Sequence, residues 1–528
     1  MSDARQPTFS LLDEAWIPVI YLDGQLACVS LVDIWHDVHR IREIWHDSPL
    51  IVATLHRLLM AIWYRADRTS FDSSDTKAEL LASAEMPVAE ITAYLQSQRA
   101  RFDLFDAQYP FYQTASLAYD EKMNPGPNTI LRHSAVSHFD KSDDAHPTPI
   151  PAAEAVLWVL EHQGYAFGGR ITNSADSVIA AHLVNGLIVL LRGNTLFETL
   201  VCSMPAYDNA KLLKLDCSLS RDDAPAWEKP APTQSKRIPK GWLDVLTWQS
   251  RRILLLPEWI DNQWQVRRVI VSGGYDLDNR EFHDPMQFMR ITKDGKRLLK
   301  MNVERATWRD LIPCLIAPLP NDVGPDGIGG VEKPRAIEEL AEMELTTINP
   351  RIQVIGIAND KSKMELWRQE VVNVPATLFN HTKIQLSIDA TLEMCRKGEQ
   401  CLSGAIFNMA EALLKRGGTR NVRREDISAL ANSLGGRVKY WGNLESLYTH
   451  HVLQRFEEVV GLNNPDAVHR IVKDWQSFLV SYTREIYAEV AGSVQHANSL
   501  RAFSVGESTL HALFYTHELL KKEVKNEQ

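Results

Sequence analysis

Apolar positions along the first 375 residues fall into two alternating patterns. Short apolar or alternating runs, Trp16–Leu22, Ile253–Leu256 and Trp264–Val271, predict strands. Between them, Ile51–Tyr64 and Ala152–His162 space their apolar residues three and four apart, which gathers them on one face of a helix. The longest apolar stretch, Val178–Leu191, contains His182 and Asn185; it is too short to cross a bilayer and predicts a buried helix. Beyond Pro375 strand signals and proline nearly vanish. Asn464-Pro465 offers an N-cap followed by proline at the first helical position. The stripe Val468, Ile471, Trp475, Phe478, Leu479, Tyr482 and Ile486 continues from it. A second striped helix spans Val438–Val460, and Thr382–Arg396, Leu402–Leu414 and Ser508–Val524 predict further helices. The expected fold class is α+β: a large mixed α/β N-terminal lobe over residues 1–375, then an all-α C-terminal helical bundle of the four-helix type over residues 376–528.

Length supports that division, because 528 residues exceed the roughly 250–300 at which one hydrophobic core stops growing. Proline- and glycine-rich stretches at Asp143–Pro151, Ala224–Pro239 and Pro318–Pro334 read as loops within or between lobes. Ile-Trp-His-Asp occurs at Ile34–Asp37 and again at Ile44–Asp47, too close together for a structural repeat.

Charge changes the picture of partners. With 57 basic and 67 acidic residues the net charge is −10, which counts against a free-standing nucleic-acid binder while leaving room for a local basic groove. Cys28, Cys202, Cys217, Cys314, Cys395 and Cys401 are scattered and form no Cys-x-x-Cys pair, so free thiols in a reducing compartment are expected. Met1–Gly24 has no basic region followed by an apolar one, and a cytoplasmic location with no membrane partner is expected.

The motifs of the common enzyme classes are missing. No Gly-x-x-x-x-Gly-Lys-Ser/Thr, His-Glu-x-x-His, Gly-x-Ser-x-Gly or kinase signature occurs, and the glycines at 327, 329 and 330 follow coil instead of a strand. The dipeptides His36-Asp37, His46-Asp47 and His283-Asp284 support one alternative, a metal-dependent phosphohydrolase, which would need further converging ligands. His450 and His451 lie about 100° apart around a helix, poorly placed to chelate one ion. No catalytic residue, cofactor or metal ligand is expected.

Several segments, taken in order, carry a resemblance. They are Phe9–Val19 with its Trp16-Ile17-Pro18-Val19; Arg101–Phe105 followed by Tyr109–Gln113; Ser137–Lys141; Ala166–Arg170; Gly193–Leu200; and Gly356–Lys361 ahead of Leu366-Trp367-Arg368. Together with a helical C-terminal part of fitting length, this series resembles the CasA family, large subunits of the type I-E CRISPR surveillance complex Cascade, over essentially the whole chain. The resemblance implies a non-catalytic subunit whose partners are the other Cascade subunits, the CRISPR guide RNA, double-stranded target DNA and a separate helicase-nuclease effector. Such a subunit inspects the duplex for a short motif beside the target, the protospacer-adjacent motif, and helps open it. The division of labour is that of RNA-guided recognition, in which base pairing reads the long sequence and protein reads the short one.

The resemblance assigns DNA contact to two segments. At Gly168, Gly169 and Arg170, two residues without Cβ let backbone approach a minor groove, whose degenerate pattern of donors and acceptors suits tolerant reading; relatives often carry a third glycine where Arg170 stands. Ala358, Asn359, Asp360 and Lys361 belong to the segment Gly356–Lys361, expected to form a hairpin tip that wedges into the duplex, where unstacking a step costs a few kcal/mol. Relatives tend to have glutamine near Lys361. Phe139, Asp140 and Lys141 are expected to dock on neighbouring subunits and the guide RNA, with Phe139 as the anchor. Candidate backbone contacts are Arg267 and Arg268, and the bundle cluster Lys415, Arg416, Arg420, Arg423 and Arg424, which reads first as a solvated connection between helices and second as a surface that tracks a DNA backbone.

Overall fold

The computed structural model describes residues 6–118, 130, 147–170, 177–208, 222–277, 284–292, 295–303, 305–316, 331–343, 350–360, 363–379, 382–415, 422–460, 462, 464–495 and 498–520. The chain forms two compact units: Met1–Thr307 with Leu319–Val372, and Trp308–Pro318 with Asn373–Gln528.

The first unit is mixed. Strands β1 (Ile17–Tyr21), β2 (Leu26–Val29) and β3 (Ile41–Ile44) make a small antiparallel sheet in the order β2-β1-β3. Helix α1 (Pro49–Ala66) follows, buried on every side from Pro49 to Tyr64, with proline in its first turn. Helix α2 (Ala152–Tyr165) packs against it. Both helices fall where apolar periodicity predicts them. A two-residue ladder joins β4 (Gly169–Arg170) to β5 (Ser177–Val178), and β6 (Ile188–Arg192) leads into helix α3 (Leu196–Ser203). The hairpin of β7 (Arg251–Ile260) and β8 (Gln263–Gly273) turns at Asp261 and Asn262, at φ of 49° and 66°, the left-handed pair that matches strand twist in a tight hairpin.

One prediction fails inside this unit. Val178–Leu191 is buried but is not a helix: Val178 ends β5, residues 179–187 form an irregular connection, and Ile188-Val189-Leu190-Leu191 is strand β6. A continuous apolar run has no period to separate a buried strand from a buried helix, and here Asn185-Gly186 breaks the chain before the strand begins.

In the second unit, helix α4 (Trp308–Ile316) packs with the C-terminal helices. In the first unit again, β9 (Arg351–Asp360) and β10 (Lys363–Val372) complete a three-stranded antiparallel sheet in the order β10-β9-β6. The remainder of the second unit is helical. Its long member, α5 (Thr382–Lys415), runs through the stretch where sequence predicts two helices. Helices α6 (Pro465–Gly492) and α7 (Ser499–Thr516) lie against it. Asn464 caps α6 as predicted, its side chain accepting from the amides of Asp466 and Ala467. Helix α7 starts earlier than the predicted Ser508. Val438–Val460 is not one continuous helix, being interrupted at Asn443 and passing through a wide turn at Thr449–Leu453. The aromatic stripe is core: Trp475 stacks on Phe478, Phe478 on Tyr482, and the Tyr440 hydroxyl donates to the Cys395 carbonyl across the unit. Among the described residues no helix is long and apolar enough to cross a membrane.

Candidate nucleic-acid interface

The glycine turn follows directly from α2, and its two glycines serve different physical needs. Gly168 is a packing glycine. A Cβ there would fall 2.8 Å from the Ala180 nitrogen and 3.0 Å from the Val178 oxygen, both backbone atoms that cannot step aside. Gly169 is a conformational glycine. Its φ is +142°, a region that L side chains rarely adopt, yet no described residue lies within 4 Å of where its Cβ would sit. Gly169 is exposed. The turn thus presents bare main chain to open space while its inner residue is clamped against the chain returning through β5. Arg170 pairs with Ser177 in that ladder.

The support beneath the turn is polar and buried. The amide of Ala181 donates to the Ala166 carbonyl at 2.7 Å, and Leu183 to Gly164 at 3.2 Å. Ala166, Ala181 and Val184 form a small apolar cluster on which Phe167 and Ala180 pack. The Arg251 side chain at the start of β7 is almost fully buried. Its guanidinium donates to the carbonyls of Phe167 (2.8 Å), Ile179 (2.9 Å) and Ser250 (2.9 Å). Deeper still, Arg57 pairs with Asp284 at 2.9 Å, both about 2% exposed, and its other terminal nitrogen approaches His182 Nε2 at 3.4 Å. Arginine can only donate, so Nε2 is the accepting nitrogen in this contact. Burial first, and the Arg57 charge second, hold His182 well below the usual histidine range, so it is neutral.

The second segment is displaced from its expected place. Strand β9 pairs with β6 from Arg351 to Ile355, and beyond Ile355 only β10 accompanies it. Residues 356–360 are therefore one arm of a two-stranded ribbon that outruns the three-stranded sheet. Gly356 and Ile357 are buried and Ala358 is 5% exposed, so these residues are strand and not tip, a correction to the expected Gly356–Lys361 tip. The hairpin closes between Asp360 and Lys363, and Lys361 lies outside the described residues. A register shift between Ala358 and Asn359 marks a bulge, a device that bends a strand and redirects the side chains after it. At the ribbon's base Glu370 accepts from the Thr307 amide and hydroxyl, and Arg368 pairs with Glu370 at 2.7 Å.

One connection ties the two segments together. Residues 179–183 pack beneath the glycine turn, and the same chain continues into β6, which pairs with β9 at the foot of the ribbon.

Four of the basic candidates, Arg267, Arg268, Lys415 and Arg423, are already engaged. Arg267 pairs with Glu258 at 2.7 Å and reaches the Pro147 carbonyl, and Arg268 also has an interaction partner. In the helical unit Lys415 pairs with Glu411 and Arg423 with Asp426, whereas Arg424 is exposed at the start of its helix. Arg416, Arg420, Phe139, Asp140 and Lys141 lie outside the described residues. The His-Asp dipeptides are dispersed into local roles. Asp37 accepts from Tyr21 and Arg40, His46 Nδ1 accepts from the Ser48 amide, and Asp284 serves Arg57. Among the described residues no group of three or more His, Cys, Asp or Glu side chains is placed to hold a metal ion. Arg251 was not singled out by sequence, since no local pattern marks an arginine whose partners lie more than 70 residues away.

This arrangement, an α/β unit with an exposed glycine turn and a two-stranded ribbon, then a helical unit, has counterparts among solved structures. The crystal structure of CasA from Thermus thermophilus superimposes with a TM-score of 0.75 at 25% identity, covering 96% of this chain and 99% of that one. A chain of a CRISPR RNA-guided surveillance complex does so with a TM-score of 0.64 at 19% identity, covering 96% and 100%. In sequence, the CRISPR-associated protein CasA/Cse1 of Thermus thermophilus is 28% identical over 472 residues, 86% of this chain and 89% of that protein. Residues 10–486 match the family model for CRISPR-associated protein Cse1, and the chain belongs to that family.

Proposed function

We propose that this chain is a non-catalytic subunit of a cytoplasmic RNA-guided CRISPR surveillance complex. In this reading it examines double-stranded DNA for a short motif beside the target, starts strand separation, and recruits the helicase-nuclease that destroys the DNA. The observation that carries the reading is the Gly168-Gly169 turn: Gly169 is exposed at positive φ with no described residue within 4 Å of where its Cβ would sit, and Gly168 packs tightly against the main chain behind it. A bare backbone of this kind can enter a minor groove and meet base edges with no side chain in the way.

The β9–β10 ribbon supplies the second action. Asn359 and Asp360 end the described part of its first strand, and with Lys361 they would serve as a polar wedge that props apart the base step next to the motif while guide pairing repays the unstacking. Phe139, Asp140 and Lys141 dock the subunit on its neighbours and the guide RNA. The net charge of −10 fits a subunit that leaves most phosphate contact to partners. The test is a gel shift with the assembled complex. Gly169→Asp should weaken binding to a motif-bearing duplex while the subunit still co-purifies with the complex, and equal binding by mutant and wild type would refute the reading.

A further inference from the structure

We propose that Arg251 is the positioning residue of the glycine turn, holding the main chain of Phe167 and Ile179 together so that Gly169 stays in the shape that meets DNA. This inference rests on the reading above. Gly169 lies in the two-residue ladder of β4 and β5, where it pairs with Val178; so short a ladder is too little to fix the main chain unaided, and the residues that flank it are Phe167–Gly168 and Ile179–Ala180. One Arg251 terminal nitrogen bonds both flanks, at 2.8 Å to the Phe167 carbonyl and 2.9 Å to the Ile179 carbonyl, while the other bonds Ser250.

The arginine is itself fixed. Its amide donates to the Gln163 side-chain oxygen at 2.9 Å, and its carbonyl accepts from the Gln163 side-chain nitrogen at 2.9 Å. Gln163 belongs to α2, the helix that runs straight into the turn. Both flanks of the ladder and the helix that leads to it therefore meet on one residue. Burial pulls the guanidinium down to about 10, Asp276 acting in the opposite direction, so it remains charged at neutral pH. A buried cation bonded mainly to carbonyl oxygens is costly to keep, which is hard to account for as simple core filling.

The experiment uses the assembled complex with guide RNA and two duplexes. One carries a motif that the wild-type complex selects from a pool randomised beside the guide-matched stretch, and the other carries a scrambled motif. Arg251→Lys keeps the charge but replaces a planar fork with a single ammonium, and Arg251→Met removes the charge. The expected result is a fall of about tenfold in the ratio of motif to scrambled affinity for Arg251→Lys and a larger fall for Arg251→Met. Affinity for scrambled DNA and co-purification should be unchanged, and amide exchange should rise at residues 166–169 and 178–181. Equal losses on both duplexes would mark a merely structural role and overturn the inference. Gly169→Asp separates the two levels of the argument: if it abolishes discrimination while the Arg251 variants keep it, the inference fails and the reading stands. If all three retain wild-type discrimination, both fail. Should Arg251→Met not fold, the ratio for Arg251→Lys decides alone.

Discussion

Replacing Gly169 tests conformation and charge separately. Gly169→Ala adds a Cβ that meets none of the described residues within 4 Å, so no clash with them contributes. What it adds is strain, because φ of +142° belongs to a region essentially reserved for glycine, and holding another residue there costs about 1–3 kcal/mol. If the exposed turn relaxes in the free subunit, the native shape must be restored on binding, and that range corresponds to roughly 5- to 150-fold in affinity. If it does not relax, the same cost appears as lost stability, so the two effects together should sum to that range. Gly169→Asp adds a carboxylate, worth about 1 kcal/mol against each phosphate near 4 Å in water-like surroundings and screened by salt. The assay is a titration of motif-bearing and scrambled duplexes at low and high salt, beside the melting temperature of the subunit. The alanine effect should be salt-independent and confined to the motif-bearing duplex, and the extra aspartate effect should shrink as salt rises. Wild-type stability and wild-type affinity for Gly169→Ala would refute the reasoning.

Other expectations follow from the same geometry. Gly168→Ala forces a Cβ into main-chain atoms of Val178 and Ala180 and should lower stability by about 1–3 kcal/mol, read as a lower melting temperature. Phe139→Ala should loosen docking, read as reduced co-purification with the complex, whereas retained stoichiometry would argue against its anchor role. His56 is fully buried, its Nδ1–H bonded to the Val52 carbonyl, and burial lowers it from 6.5 to about 4. The unfolded chain therefore takes up a proton before the folded one does. Stability should be full above about pH 6.5 and fall toward pH 4, a loss that His56→Gln should reduce in denaturant midpoints across that window. The isolated subunit, at −10, should bind DNA weakly and with little preference among sequences, and tight specific binding without partners would contradict the proposal.

Much of the architecture was legible because periodicity has a physical cause. In the α6 stripe Ile471, Trp475, Leu479, Tyr482 and Ile486 are buried as their spacing requires, with Phe478 half-buried, and Asn464-Pro465 starts the helix where the cap chemistry says it should. The glycine turn was visible as two adjacent residues without Cβ, but the different duties of Gly168 and Gly169 were not. One depends on what returns past it through Val178–Ala180, the other on a dihedral angle. Val178–Leu191 was misread because an all-apolar run erases the period that distinguishes strand from helix. The hairpin at 351–372 was legible as a hairpin but not in its extent, since Ala358 is small enough to sit in either a tip or a packed strand. Arg251 was illegible, its meaning residing wholly in carbonyls brought to it by the fold.

The central claim is that main chain at Gly168-Gly169 reads DNA from the minor groove. Base analogues placed in the motif test it directly: inosine and 2,6-diaminopurine remove or add the minor-groove amino group, whereas 7-deazapurines alter only the major-groove edge. The account predicts that the minor-groove analogues shift affinity of the assembled wild-type complex, that this shift vanishes in Gly169→Asp, and that 7-deazapurines are silent. Sensitivity to 7-deazapurines with indifference to the minor-groove analogues would contradict it.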